Sequence, residues 1–281
     1  MLQVSGIYVY PIKSLRGISL DSAEITNRGF ACDRQWMLVN EQNNFLSQRE
    51  FAQMALLQPD LNAASLVVKN TASAQSPLLI PLQPETVDTI MVNIWSDRCR
   101  AQLVGSKYDA WFTEALGMPC RLVFMPEKTN RRVDGRYAFN KETTRFTDGY
   151  PFMIVGQSSL QELNERLEMP VLMNRFRPSI VFTGGAPFEE DLMAEFSIAG
   201  INFFGVKLSA RCVVTTIDQE TGVAGKEPLK TLSLYRLKNK KIYFGQNLLH
   251  KGTGRMSVGD EIKVLVRKGL SGSNKMGGEG G

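Results

Sequence analysis

One stretch carries the residue best suited to chemistry: Ser209-Ala210-Arg211-Cys212-Val213-Val214-Thr215-Thr216-Ile217-Asp218. A lone cysteine there has an arginine at its shoulder, and an adjacent guanidinium favours the thiolate. A thiolate is a soft donor that suits a redox metal better than Mg or Ca. The alternative is a buried structural cysteine. The β-branched run Val213 to Thr216 predicts a strand. Strict pleating would turn Cys212 and Arg211 to opposite faces. For both to reach one ligand, Ala210 to Cys212 must form a loop or bulge just before that strand.

Other cations stand far away in sequence. Lys13 and Arg16 flank a turn-like Ile12-Lys13-Ser14-Leu15-Arg16-Gly17, readable as solvated charges or as an anion clamp with Ser14. Arg34 sits in Asp33-Arg34-Gln35-Trp36, and an arginine turned inward there needs a phosphate or carboxylate partner. Arg175 and Arg177 precede another strand start. The most basic stretch holds Lys128, Arg131, Arg132, Arg136, Lys141 and Arg145. It reads as a long loop, either solvated, reading nucleic acid with Tyr137 and Phe139, or holding a small anion.

Several chemistries are excluded. The chain has one histidine, His250, so zincin motifs are absent, and no Gly-x-Ser-x-Gly elbow supports a serine triad. Neither a Walker A loop nor Gly-x-Gly-x-x-Gly occurs. Cysteines 32, 99, 120 and 212 are widely spaced, which argues against a zinc knuckle or an iron–sulfur cluster. With no secretion signal they read as cytosolic thiols, so a cytoplasmic location is expected. No apolar run is long enough for a membrane span. A net charge of +5 suits an anionic ligand without demanding nucleic acid.

The elements that must position these residues are mostly strands, as the short apolar runs suggest. They are expected at 4–10, 22–26, 34–39, 65–69, 78–82, 89–94, 98–104, 121–125, 153–155, 179–183, 195–198 and 202–208. A helix follows Gly105, with Tyr108, Phe112 and Leu116 on its core face, and stops at Gly117-Met118-Pro119. A second is expected through Leu160, Leu163 and Leu167, with Ser159 and Glu162 as a capping box. The segment 51–57 is ambiguous between helix and strand. The Gly- and Ser-rich ending reads as a mobile tail.

Six separated stretches, in order, resemble one family: Tyr10-Pro11-Ile12-Lys13-Ser14, Asp33-Arg34-Gln35-Trp36, Thr147-Asp148-Gly149-Tyr150-Pro151-Phe152, Arg175-Phe176-Arg177-Pro178, Arg211-Cys212-Val213-Val214-Thr215-Thr216 and Phe244-Gly245-Gln246-Asn247. The chain resembles a MOSC protein (molybdenum cofactor sulfurase C-terminal domain) with the MOSC N-terminal β-barrel domain. Within that family it resembles the branch of bacterial YcbX and the mitochondrial amidoxime reducing component.

The resemblance implies a mainly β, α+β fold: a β-barrel-like domain over 1–120, a MOSC β-barrel domain over 121–268, and a flexible tail over 269–281. It implies a molybdenum-cofactor-dependent reductase of N-hydroxylated compounds (hydroxylaminopurines, amidoximes, hydroxylamines) acting by oxygen-atom transfer to molybdenum, and so serving to detoxify N-hydroxylated bases. Cys212 matches the catalytic metal ligand. Lys13, Ser14, Arg34, Gly149, Tyr150, Arg177, Ser179 and Arg211 match positions that hold the molybdopterin. Some relatives carry a ferredoxin domain with clustered cysteines, and no such cluster occurs here. An electron donor protein, ferredoxin- or flavodoxin-like with a reductase, is therefore expected as partner to a small substrate. No membrane and no nucleic acid polymer is expected as the main ligand. One alternative is a molybdenum-cofactor or sulfur carrier with Cys212 as persulfide site, though sulfurases of this kind also use a separate pyridoxal-phosphate domain. Another is a basic nucleic-acid-binding barrel using Arg131, Arg132 and Arg136.

Overall fold

The computed structural model describes residues 1–269. Its largest sheet closes on itself. Going round, Phe152–Gly156 pairs with Ile180–Thr183, which pairs with Leu2–Val9. Glu261–Arg267, Met193–Ile198, Ile201–Ala210 and Lys241–Lys251 follow, and the last pairs back onto Phe152–Gly156. The result is a seven-stranded barrel in which only the Phe152–Gly156 and Ile180–Thr183 pair is parallel. Closure removes the exposed edges that an open sheet would carry. Ile201–Ala210 shows why these segments form strands. Ile201, Phe203 and Gly205 point into the barrel and alternate with partly exposed residues. The barrel is filled by side chains such as Ile7, Phe152, Phe182, Phe196, Phe203 and Leu248.

The second module is built mainly from residues 36 to 124. Trp36–Val39, Arg121–Phe124, Asp97–Leu103 and Thr89–Ile94 form one antiparallel sheet. Leu57–Leu61, Ser65–Asn70 and Leu78–Pro81 form another. Helix α1 (Ser106–Leu116) buries Tyr108, Phe112 and Leu116 in their shared core and ends on Gly117 in the left-handed region. The chain is thus mostly β. The other α-helices among the described residues are α2 (Gln157–Asn164), α3 (Glu189–Leu192) and α4 (Leu229–Ser233).

Strand pairing does not follow a single cut at residue 120. Leu2–Val9 belongs to the barrel of the C-terminal half, and Ser22–Thr26 pairs with Gly254–Ser257. Arg121–Phe124 completes the sheet of the N-terminal module. The tail expectation beyond residue 269 lies outside the described residues.

Two local expectations are corrected and one ambiguity is resolved. Val213–Thr216 is a turn of 3-10 helix, not a strand. Its threonine hydroxyls satisfy the turn: Thr215 Oγ1 donates to the Cys212 carbonyl at 2.9 Å and Thr216 Oγ1 to the Val213 carbonyl at 2.8 Å. The strand lies before the cysteine instead, ending at Ala210, with a register irregularity between Leu208 and Ala210. The capping box is also absent. Helix α2 begins after Gly156, and Ser159 lies within it, donating to Glu190 Oε2 at 2.9 Å. The ambiguous 51–57 segment resolves into a 3-10 turn, Ala52–Leu56, feeding the Leu57–Leu61 strand.

Candidate functional site

Arg211 and Cys212 leave the barrel rim immediately after the Ile201–Ala210 strand. The Arg211 N–H donates to the Ile242 carbonyl at 2.8 Å, tying the exit to the neighbouring strand. Cys212 is half-buried and is not in a disulfide. The Arg211 guanidinium donates to Ser209 Oγ at 2.8 Å and to the Phe176 carbonyl at 2.7 Å. Its Nε is buried without a partner. Burial lowers its pKa.

Tyr10 organises a second group of cations. Its backbone N–H donates to Asp33 Oδ1 at 2.8 Å and its hydroxyl to the Pro178 carbonyl at 3.0 Å. Arg34 lies 4.2 Å and Arg177 4.4 Å from its ring centroid. Arg34 is ion-paired with Asp33 at 2.7 Å. Arg177 has no carboxylate partner among the described ion pairs. Burial pushes Arg177 down to about 10, which leaves it a cation at neutral pH.

Lys13 is buried, and its ammonium meets the Asp148 carboxylate. Burial pushes Lys13 below the usual lysine range, partly offset by that partner. Protein walls around Asp148 disfavour its charge. Lys13, the Trp95 indole N–H and Arg34 outweigh that and hold the carboxyl well below the usual range. Ser14, Arg34, Arg177 and Trp95 all have positive φ, at 68°, 46°, 54° and 53°. Residues other than glycine rarely adopt that conformation, and such strain gathers at ligand sites.

All nine sequence-predicted site residues line one cavity of about 280 Å³. Lys13 and Ser14 come from the loop after the first strand, and Arg34 from the turn before Trp36–Val39. Gly149 and Tyr150 lie on the loop before Phe152–Gly156, Arg177 and Ser179 just before Ile180–Thr183, and Arg211 and Cys212 beyond Ala210. A Cβ on Gly149 would meet nothing within 4 Å, so that residue leaves the cavity open. Ser179 is fully buried and its hydroxyl accepts from the Met153 N–H. The Tyr150 hydroxyl is buried without a partner. The cavity wall holds six cations (Lys13, Arg34, Arg49, Arg177, Lys207 and Arg211) against one carboxylate, Asp148.

Sequence reasoning missed Tyr10, Trp95, Asp148 and Lys207, all of which touch this cavity or its cations. Tyr10 and Asp148 fall inside the quoted motifs and could have been found there. Trp95 and Lys207 carry no local signal.

The basic loop has a structural role at two positions. Arg131 is buried and ion-paired with Asp97, and it donates to the Arg145 and Thr147 carbonyls at 2.7 and 2.8 Å. Arg145 donates to the Phe30 carbonyl at 2.7 Å. Arg136 is exposed and paired with Asp134. Arg16 donates to the Gln219 carbonyl and pairs with Glu220, outside the cavity wall. Arg132 is exposed, but with Arg131 buried and Arg136 paired the three arginines expected to face nucleic acid do not form one free surface. His250 bonds the Thr26 carbonyl and stacks among Phe152 and Phe203, far from any triad role.

The fold and the cavity define a class: a closed β-barrel protein whose rim opens on a thiol and a surplus of cations. Two family models match the chain. The MOSC N-terminal beta barrel domain matches residues 1–119 and the MOSC domain residues 141–263. The mouse (Mus musculus) mitochondrial amidoxime-reducing component 1 is 30% identical over 93% of this chain and 82% of its own length. The cattle (Bos taurus) mitochondrial amidoxime reducing component 2 is 31% identical over 94% and 83%. Human (Homo sapiens) molybdenum cofactor sulfurase is 26% identical over 96% of this chain, which spans 33% of that protein. The chain belongs to the MOSC family. No helix among the described residues is long and apolar enough to cross a membrane.

Proposed function

We propose that the protein is a molybdenum-cofactor-dependent reductase of N-hydroxylated compounds, with Cys212 as the metal ligand. The observation that carries this reading is the convergence of Cys212 with Lys13, Arg34, Arg177 and Arg211 on one cavity. The donor set suits the cofactor. The thiol is a soft ligand, and the cation surplus suits a phosphorylated anion. The unpartnered Arg211 Nε and the carboxylate-free Arg177 supply hydrogen bonds and charge with nothing in the protein to receive them. Among the described residues no cluster of His, Cys, Asp and Glu could hold a metal ion by itself, so an organic carrier would supply the remaining ligands. Two relatives are amidoxime-reducing components by name, which favours this activity over others in the family.

When bound, the molybdenum centre would supply the two-electron chemistry that removes oxygen from an N–OH group. The chain's own part is to bind and orient. Arg34 and Arg177, held over the Tyr10 ring, would receive the anionic organic portion. Lys13 and Ser14 would flank it on the first loop, and Gly149, Tyr150 and Ser179 would complete the cavity wall. Arg211 would offer its unpartnered Nε, while its other nitrogens are fixed on Ser209 and Phe176.

The test is elemental and pterin analysis of protein made in a host that synthesises the cofactor, paired with reduction of benzamidoxime by viologen. Near-stoichiometric molybdenum with amidine formation is expected. The similarity to molybdenum cofactor sulfurases favours a second reading, a sulfur carrier. Metal-free protein with a persulfide on Cys212, detected by mass spectrometry, would establish that instead.

A further inference from the structure

We propose that the hairpin joining Leu237–Lys238 to Lys241–Lys251, together with α4, docks a small acidic electron-carrier protein. The proposal rests on the reductase reading. Reducing one N–O bond consumes two electrons and two protons and releases water. Two one-electron carriers are therefore oxidised per turnover, and they need a landing surface near the cavity.

The hairpin is placed for that task. Its outgoing strand pairs Tyr243 with Ala210, and the Ile242 carbonyl accepts the Arg211 N–H at 2.8 Å. A route of one hydrogen bond and a few covalent bonds thus joins the lysine hairpin to Cys212. Helix α4 packs against both the Lys241–Lys251 strand and the Val213–Thr216 turn.

The surface is basic and has an apolar centre. Lys226, Lys230, Lys238, Lys240 and Lys241 are all exposed. None of the five is ion-paired among the described residues. Between them Leu234 is 82% and Leu237 57% exposed, and Val213, beside Cys212, is 52% exposed. Exposed apolar side chains set among unpaired cations are the pattern of a protein-docking surface. Glu227, the carboxylate within this segment, is turned onto the Thr231 N–H. A polyanion would need no exposed leucines.

The hairpin also gives up stability to present these charges. Lys238 and Lys241 stand directly opposite each other across the strands, where like charges repel. Asn239 and Lys240 have φ of 50° and 60°, the conformation of a tight hairpin turn. Asparagine suits that geometry, whereas a lysine in the second position is costly. Two unfavourable lysine placements in four residues point to use in binding.

The probe is a purified plant-type [2Fe–2S] ferredoxin, and the protein is the cofactor-loaded full chain. Calorimetry should show binding that weakens about tenfold or more when salt rises from low to several hundred millimolar. In a Lys238→Glu, Lys240→Glu, Lys241→Glu triple variant, affinity and the apparent KM for reduced ferredoxin should worsen by about tenfold or more. The corresponding Lys→Gln variant should fall between the two. Both variants should keep viologen-driven benzamidoxime reduction within about twofold of the parent, since no lysine lining the cavity is touched.

Unchanged ferredoxin binding in the charge-reversed protein would overturn the proposal. So would an equal loss of viologen-driven turnover, or a single-stranded DNA oligonucleotide that binds the hairpin more tightly than ferredoxin. If the parent itself fails with viologen, the reductase reading falls. The calorimetric salt and charge dependence then still decides whether the surface binds an acidic protein.

Discussion

Sulfur against oxygen is the smallest change that separates a metal ligand from a structural cysteine. Cys212→Ser should keep the fold, since the side chain is only half-buried. It should lower N-hydroxyl reduction by roughly 100-fold or more, because a hydroxyl is a poor ligand for a soft metal. Turnover equal to the parent, with an unchanged thermal transition, would count against the thiol as ligand. Arg34→Ala and Arg177→Ala should each leave a folded protein with roughly tenfold weaker cofactor retention, because charge-assisted bonds to an anion are lost. Molybdenum content after dialysis measures this, and full loading in both variants would remove these arginines from the site. That all nine candidate residues line one cavity was legible from motifs far apart in the sequence. Trp95 was not, since nothing in Ile94-Trp95-Ser96 announces a left-handed turn whose indole reaches Asp148. That contact depends on a fold-back of 53 residues.

Strands were legible where burial alternates, and the register of Ile201–Ala210 shows it. The Val213–Thr216 turn was not legible, because β-branched residues favour a strand only when a sheet edge is available. Here the chain leaves the barrel at Cys212, and the threonine hydroxyls close a helical turn instead. Gly205 illustrates a constraint between strands. A Cβ there would lie 1.6 Å from Gln246 Nε2 and 2.1 Å from the Met193 carbonyl oxygen, the pair joined by a 2.6 Å hydrogen bond. Gly205→Ala should therefore cost about 2–4 kcal/mol by overpacking and by breaking that buried bond. A urea midpoint equal to the parent's would contradict the contact.

Helix α3 carries a pH dependence. Glu190 is fully buried with one carboxylate oxygen unpartnered, and burial pushes its carboxyl up to about 7. The unfolded group ionises near 4.5, so the folded state holds the extra proton between these values. Its contribution to stability is full below the lower value and lost as pH rises through the upper one. Glu190→Gln removes the ionisation. It should match the parent near pH 4.5 and exceed its stability at pH 8 by on the order of 3 kcal/mol. Parallel stability curves from pH 4 to 9 would show that Glu190 does not titrate this way.

At the scale of the whole molecule, the order of strands around the barrel matters more than the domain boundaries that composition suggests. A boundary near residue 120 follows from the change of pattern after α1, but pattern carries no information about long-range pairing. The first strand is shared with the C-terminal half. A fragment beginning at residue 121 lacks the strand between Ile180–Thr183 and Glu261–Arg267, so its barrel has a gap with two raw edges. It should show no cooperative thermal unfolding, and a sharp transition from that fragment would contradict the shared barrel. The cavity shares this dependence, since its wall draws on residues from 13 to 247.

Leu2–Val9 meets Glu261–Arg267 directly, so Leu2 waits for Ile262, a partner synthesised 260 residues later. Ile18–Leu20 and Ile180–Thr183 can pair with this strand sooner, but until Glu261–Arg267 is made Leu2 and Gln3 keep an open edge. Such distant pairing folds slowly and leaves sticky intermediates. Chaperone supply during synthesis should consequently govern yield more than the stability of the finished protein does, and loading of any cofactor must come after that final closure.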